Sequence, residues 1–230
     1  MRLREGTVKN YLIIALIFFC FPAFAGQDKY CAKGGKKVDI HLFGHTYEND
    51  SQRKLALQGL TKLKKDFAKG TNIRVFSHTP SGLTVSFDSC VPGCTESSLS
   101  EQFFSGDCSA QVAKRDSIEF DRKFSFACFQ NITGKHGTYD IFQAIQSLTD
   151  VYKNTQDQSN VFAVISMVPK GVNPASNAEL SALYVKKSES IAFPKSFPPV
   201  QLIGAANNEE LIRFWTDVFR NKAKFNFQGY

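Results

Sequence analysis

Apolar residues along this chain fall into two rhythms. Three short runs have strand length: VDIHLF (Val38–Phe43), VFAVISMV (Val161–Val168) and VQLIGAA (Val200–Ala206). The last two are almost continuously apolar, as expected of strands covered on both faces. NIRVFSH (Asn72–His78) and LTVSFDSC (Leu83–Cys90) flank the turn Thr79-Pro-Ser-Gly82 and read as a hairpin. Between the strands the period lengthens to that of a helix. Ser51 to Lys69 aligns Ala56, Leu60, Leu63 and Phe67 and stops at Gly70; Asp140 to Lys153 aligns Ile141, Ala144, Ile145, Leu148 and Tyr152. Asn177 to Ser188 carries Leu180, Leu183 and Tyr184. Asn208 to Arg220 carries Leu211, Phe214, Trp215, Val218 and Phe219, with Glu209 and Glu210 in its first turn.

This alternation predicts an α/β fold: three layers, a mostly parallel sheet with helices on both faces, and one antiparallel strand from the hairpin. The segment from Val91 to about Lys123 interrupts the rhythm. It is Ser-rich, polar and cysteine-bearing, and reads as a stapled insertion, with Phe124 to Phe129 as a further strand leaving it. Residues 26–37 are assigned to an N-terminal extension and 221–230 to a tail, leaving 38–220 as the domain.

The first 25 residues follow a different pattern. Arg2, Arg4 and Lys9 precede an apolar run from Tyr11 to Phe21, and Ala23-Phe24-Ala25 is a small-x-small cleavage signal. A membrane-spanning helix needs roughly 20 apolar residues, so the run predicts a cleaved export signal and no stable membrane span afterwards. The expected location is periplasmic or extracellular. The chain has a net charge of +7, but its lysines are scattered, with no basic stripe or motif of the kind that binds nucleic acid. Export changes the reading of the cysteines. Cys31, Cys90, Cys94, Cys108 and Cys128 become disulfide candidates, with Cys31 the expected odd thiol. The three-residue gap between Cys90 and Cys94 is not that of a redox or zinc motif.

Three pieces of sequence together resemble a von Willebrand factor A-like domain. They are the buried strand Val38–Phe43 leading into a helix, the Gly-Thr turn of HGTYDIFQAI (His136–Ile145), and VQLIGAANNEELIRFW near the end. The resemblance implies a Rossmann-like sheet and, in the usual case, a metal-ion-dependent adhesion site. That site takes Asp-x-Ser-x-Ser from its first loop, Thr from its second and Asp from its third, because a hard divalent cation wants oxygen ligands. Here the first loop reads Phe43-Gly-His-Thr-Tyr47 and the third Ser166-Met-Val-Pro-Lys-Gly171. Asp39 lies about 13 Å from the loop at a rise of about 3.3 Å per residue. Thr138 alone remains, and one hydroxyl does not hold a divalent ion; Thr138 or Asp140 then serves as a helix cap. No cofactor or divalent cation is expected.

The functional expectation is therefore a degenerate, non-enzymatic interaction module. Its partner would be another envelope or extracellular protein, in an adhesion, surface, secretion or conjugation assembly. The expected surface comprises Gly44, His45, Thr46, Tyr47, His136, Thr138, Asp140 and Lys170. The alternative is an exported hydrolase using His45 or His136 with a nearby serine or aspartate. His45, His78 and His136 otherwise read as loop histidines near strand ends, and the spacing of His41 and His45 carries no metal signal.

Overall fold

The computed structural model describes residues 28–31, 35–44, 47, 49–79, 82–94, 109–134, 141–153, 160–165, 178–193, 197–198, 200–204 and 225–229. Six strands form one sheet in the order β3-β2-β1-β4-β5-β6. They are β1 (Lys37–Phe43), β2 (Asn72–Thr79), β3 (Gly82–Cys90), β4 (Asn160–Ile165), β5 (Val200–Gly204) and β6 (Phe225–Gly229). All neighbours run parallel except β2 and β3, which are antiparallel. The described helices are α1 (Asp50–Lys65), α2 (Ala110–Thr133), α3 (Ile141–Val151) and α4 (Ala178–Glu189). The α/β class, the parallel sheet and the hairpin were all expected from the sequence. The expected helix from Asn208 to Arg220 lies outside the described residues.

Strand alternation divides the sheet between two environments. On one face Val38, Ile40 and Leu42 of β1, Ile73 and Val75 of β2 and Phe87 of β3 join a single apolar cluster. Against it α1 contributes Ala56, Leu60 and Leu63, and α2 contributes Phe120, Phe124, Ala127, Cys128 and Ile132. Phe87 meets both Phe120 and Phe124 edge-on, at centroid distances of 5.3 and 5.6 Å, a favoured aromatic geometry. Lys64 and Asp121 tie the two helices at 2.6 Å. On the other face Tyr152, in the turn after α3, bonds to Asp39 and packs edge-on against Phe197.

The helix ends obey local chemistry. Asn49 caps α1 by accepting from the Gln52 amide, and Ser109 caps α2 by accepting from the Val112 amide. The first helix stops at Lys65, before the Gly70 expected from sequence. Gly70 instead takes a left-handed turn (φ 79°) that lets its amide reach the Val91 carbonyl at 2.9 Å. At the sheet edge, Val75 pairs with Phe87 and Phe76 with Val85, so Ser86 is an extra, bulged residue. Its hydroxyl donates to the Val75 carbonyl and accepts from Asn131 of α2. Such a bulge disrupts an edge that would otherwise template pairing with another chain.

Two expectations change. The stretch Phe124–Phe129 is helix, not strand: Phe120, Phe124, Cys128 and Ile132 recur every four residues and are buried, whereas Phe126 is exposed. The polar composition around this stripe obscures its helical period. Phe225–Gly229, assigned to a tail, pairs with β5 as an edge strand. The cysteines also redistribute. Cys31 bonds to Cys90, tying the segment before β1 to the end of β3, and Cys94 is disulfide-bonded too. Among the described residues the free thiol is Cys128, whose burial pushes its pKa up to about 12 and leaves it inert. Closing the long Cys31–Cys90 loop is worth about 4 kcal/mol on chain-entropy grounds.

The helical reading of α2 has a direct consequence. Phe124→Ala should cost about 3–5 kcal/mol, and Phe126→Ala no more than about 0.5 kcal/mol. Urea denaturation of each variant in dilute solution measures both. Equal losses would mean that the two phenylalanines share a face, as they would in a strand.

Candidate functional site

The loop after β1 leads the sequence-derived surface. Gly44 is buried, and Tyr47 is 4% exposed within the α1–α2 core, with burial raising its phenol pKa. Tyr47 is thus not part of an exposed binding surface; its ring lies in the apolar cluster and its main-chain carbonyl accepts from Arg53. His45, Thr46, His136, Thr138, Asp140 and Lys170 lie outside the described residues. Among the described residues no group of three or more His, Cys, Asp or Glu side chains is arranged to hold a metal. No helix of the described residues is long and apolar enough to cross a membrane.

A second constellation, which sequence reasoning missed, sits on the opposite face of the sheet. Parallel register sets Asp39 beside Arg74 and His41 beside Phe76. Asp39, His41 and Phe43 therefore meet Arg74, Phe76 and His78 of β2 as three successive rungs. Asp39 receives both Arg74 Nε (2.7 Å) and Arg74 Nη2 (2.8 Å), a bidentate charge-assisted pair. His41 stacks on Phe76 at 4.6 Å, and Phe43 stacks on His78 at 4.2 Å. The Arg74 guanidinium also lies 5.4 Å from the Phe76 ring.

Hydrogen bonds join these rungs into one relay. The Tyr152 hydroxyl is 2.7 Å from Asp39 Oδ2 and 2.9 Å from His41 Nε2, and His41 Nδ1 is 2.8 Å from His78 Nε2. Donor inventory assigns the protons. A carboxylate only accepts, so Tyr152 spends its single proton on Asp39. His41 Nε2–H must then donate to the Tyr152 oxygen. A neutral His41 is left with Nδ1 as an acceptor, so His78 Nε2–H donates to it. The ion pair at one end thereby fixes the tautomer of His41 and makes His78 Nε2 a donor.

The arrangement is closed to solvent at its centre. Asp39 and His41 are fully buried, and His78 and Tyr152 are each 1% exposed. Burial depresses the His41 pKa well below its usual value, helped by His78 and then by Arg74. Both ring nitrogens of His41 are engaged, one by a second imidazole and one by a phenol. The hydrolase alternative rests on His45 or His136, both of which lie outside the described residues. His78, expected in a loop, lies inside β2. The relay links β1, β2 and the turn after α3 through hydrogen bonds. A faint signal was present in sequence, since Asp39 and His41 alternate with Val38, Ile40 and Leu42, and Arg74 and His78 alternate with Ile73 and Val75.

No known family model matches the chain, and no curated protein matches it.

Two outcomes follow from the relay. Asp39→Ala strands the guanidinium of Arg74 and should cost about 3–5 kcal/mol; adding Arg74→Met should restore part of that loss. A double variant no more stable than Asp39→Ala would show that the pair is not coupled. The second outcome concerns pH. Because His41 has a lower pKa folded than unfolded, the unfolded chain binds the extra proton as pH falls below about 6.5. Stability should be level above that value and decline by about 1.4 kcal/mol per pH unit below it. His41→Gln should flatten the decline between pH 6.5 and 5, as read from urea midpoints.

Proposed function

We propose that this chain is an exported, non-enzymatic protein–protein interaction module of von Willebrand A-like, three-layer type. The observation that carries this reading is the strand order. A parallel sheet ordered β3-β2-β1-β4-β5-β6, with one antiparallel strand at its edge, reverses its winding between β1 and β4. Open α/β sheets bind their ligands in the crevice outside the carboxyl ends of the strands at such a reversal. The segments leaving β1 and β4 carry His45 and Thr46 on one side and Lys170 on the other. We assign the binding surface to these residues together with His136, Thr138 and Asp140. Gly44 and Tyr47 support it from beneath.

The partner in this reading is another envelope or extracellular protein, held without a metal ion. The surface offers imidazole, hydroxyl and ammonium groups, but the first and third loops lack the aspartates with which the family holds a hard cation. The Cys31–Cys90 disulfide fits an oxidising compartment.

Affinity capture from the native envelope tests the reading. The wild-type protein should recover a partner in the presence of a divalent-metal chelator, and Lys170→Glu should reduce recovery at least about tenfold, as loss of an interface anchor does. Recovery that vanishes on chelation would point to a metal-dependent site. Recovery indifferent to Lys170→Glu and to a matching His45→Asp variant would remove the crevice as the contact.

A further inference from the structure

Helix α2 buries one side of itself in the core and leaves a second apolar stripe outside. Ile118, Phe126 and Phe129 are 66%, 59% and 53% exposed. With exposed Arg122 they follow the spacing i, i+4, i+8, i+11 and so share one line along the helix. Single exposed apolar residues are ordinary. A line of two phenylalanines, an isoleucine and an arginine has the composition of an interface core.

Charge is segregated along the same helix. The stretch from Lys114 to Lys123 exposes Lys114, Arg115, Arg122 and Lys123; Glu119 pairs with Lys123, Asp116 with Lys29 and Arg115, and Asp121 with Lys64 of α1. From Phe124 to Thr133 there is no charged residue. The helix's own first turn holds no acid and its last turn no base, so neither turn offsets the helix dipole.

We propose that this outer face of α2 joins two copies of the chain, with the helices packed antiparallel about a two-fold axis. In that arrangement the cation-bearing stretch Lys114–Lys123 of each helix runs along the uncharged stretch after Phe124 of the other and ends near its negative pole. An axis beside residue 124 sets Arg122 of each copy opposite Phe126 of the other, a cation–π pairing. It also brings Ile118 against the turn that carries Phe129. The stripe is self-complementary, which a two-fold contact requires. An anionic bilayer is the poorer occupant. It would favour cations flanking the inserted aromatic residues on both sides, whereas in α2 the cations all precede Phe124. The chain's net charge of +7 opposes association, but physiological salt screens charges more than about 8 Å apart.

Sedimentation equilibrium of the purified protein at near-physiological salt tests the proposal. A contact of one helix pair is small, so monomer and dimer should exchange with a Kd of roughly 1–100 µM. Phe126→Asp should weaken association at least about tenfold, and Arg122→Glu should weaken it as well. Val85→Asp, at a comparably exposed apolar residue on β3, should leave it unchanged. Far-UV circular dichroism should match wild type in every variant, since all three side chains are exposed. A wild type that stays monomeric throughout this range, or a dimer indifferent to Phe126→Asp, overturns the proposal. So does a monomer that sediments with phosphatidylglycerol vesicles through Phe126.

Discussion

The bidentate pairing of Asp39 with Arg74 is the interaction on which the rest of the sheet's second face depends. A carboxylate with no solvent exposure is tolerated only when its charge is met and its lone pairs are filled. Arg74 supplies the charge and two donors, and Tyr152 supplies a third. Slippage of β2 by one residue against β1 would face Asp39 with an apolar neighbour. The pair therefore selects one register where hydrophobic burial alone discriminates less.

Everything else in the relay inherits its direction from that carboxylate. Tyr152 has one proton and gives it to Asp39, so His41 must donate and His78 must donate in turn. Both imidazoles are donors inside the fold, and stacking holds the His41 ring nearly parallel to Phe76 and the His78 ring nearly parallel to Phe43. The two faces of one sheet thus hold by different means. One is apolar and packed by helices α1 and α2. The other is a directed hydrogen-bond chain whose stability depends on pH.

The relay is closed to solvent at its centre, with Asp39 and His41 fully buried, and it ties β1, β2 and Tyr152 together within the scaffold. The disulfide from Cys31 to Cys90 and the contacts of Lys29 and Tyr30 with Asp116 secure the segment that precedes β1 to the same scaffold.

Sequence alone determined the elements whose hydrophobic period is unbroken: β1, the β2–β3 hairpin, β4, β5 and helices α1, α3 and α4. It failed where the period was masked. In α2 the buried line Phe120, Phe124, Cys128, Ile132 coexists with an exposed line of similar residue types, so an apolar count sees a strand where the chain is helical. The β6 strand is short and carries alternating Phe225 and Phe227 next to basic residues, which hides it in an apparent tail. The relay was beyond sequence for a deeper reason. Asp39, Arg74 and Tyr152 are separated by 35 and 113 residues from Asp39, and periodicity reports which face a residue occupies, not which distant residue will meet it there. Partnering between distant polar groups is decided by strand order and register. Those come from the packing of the whole chain, and only the tertiary structure decided them.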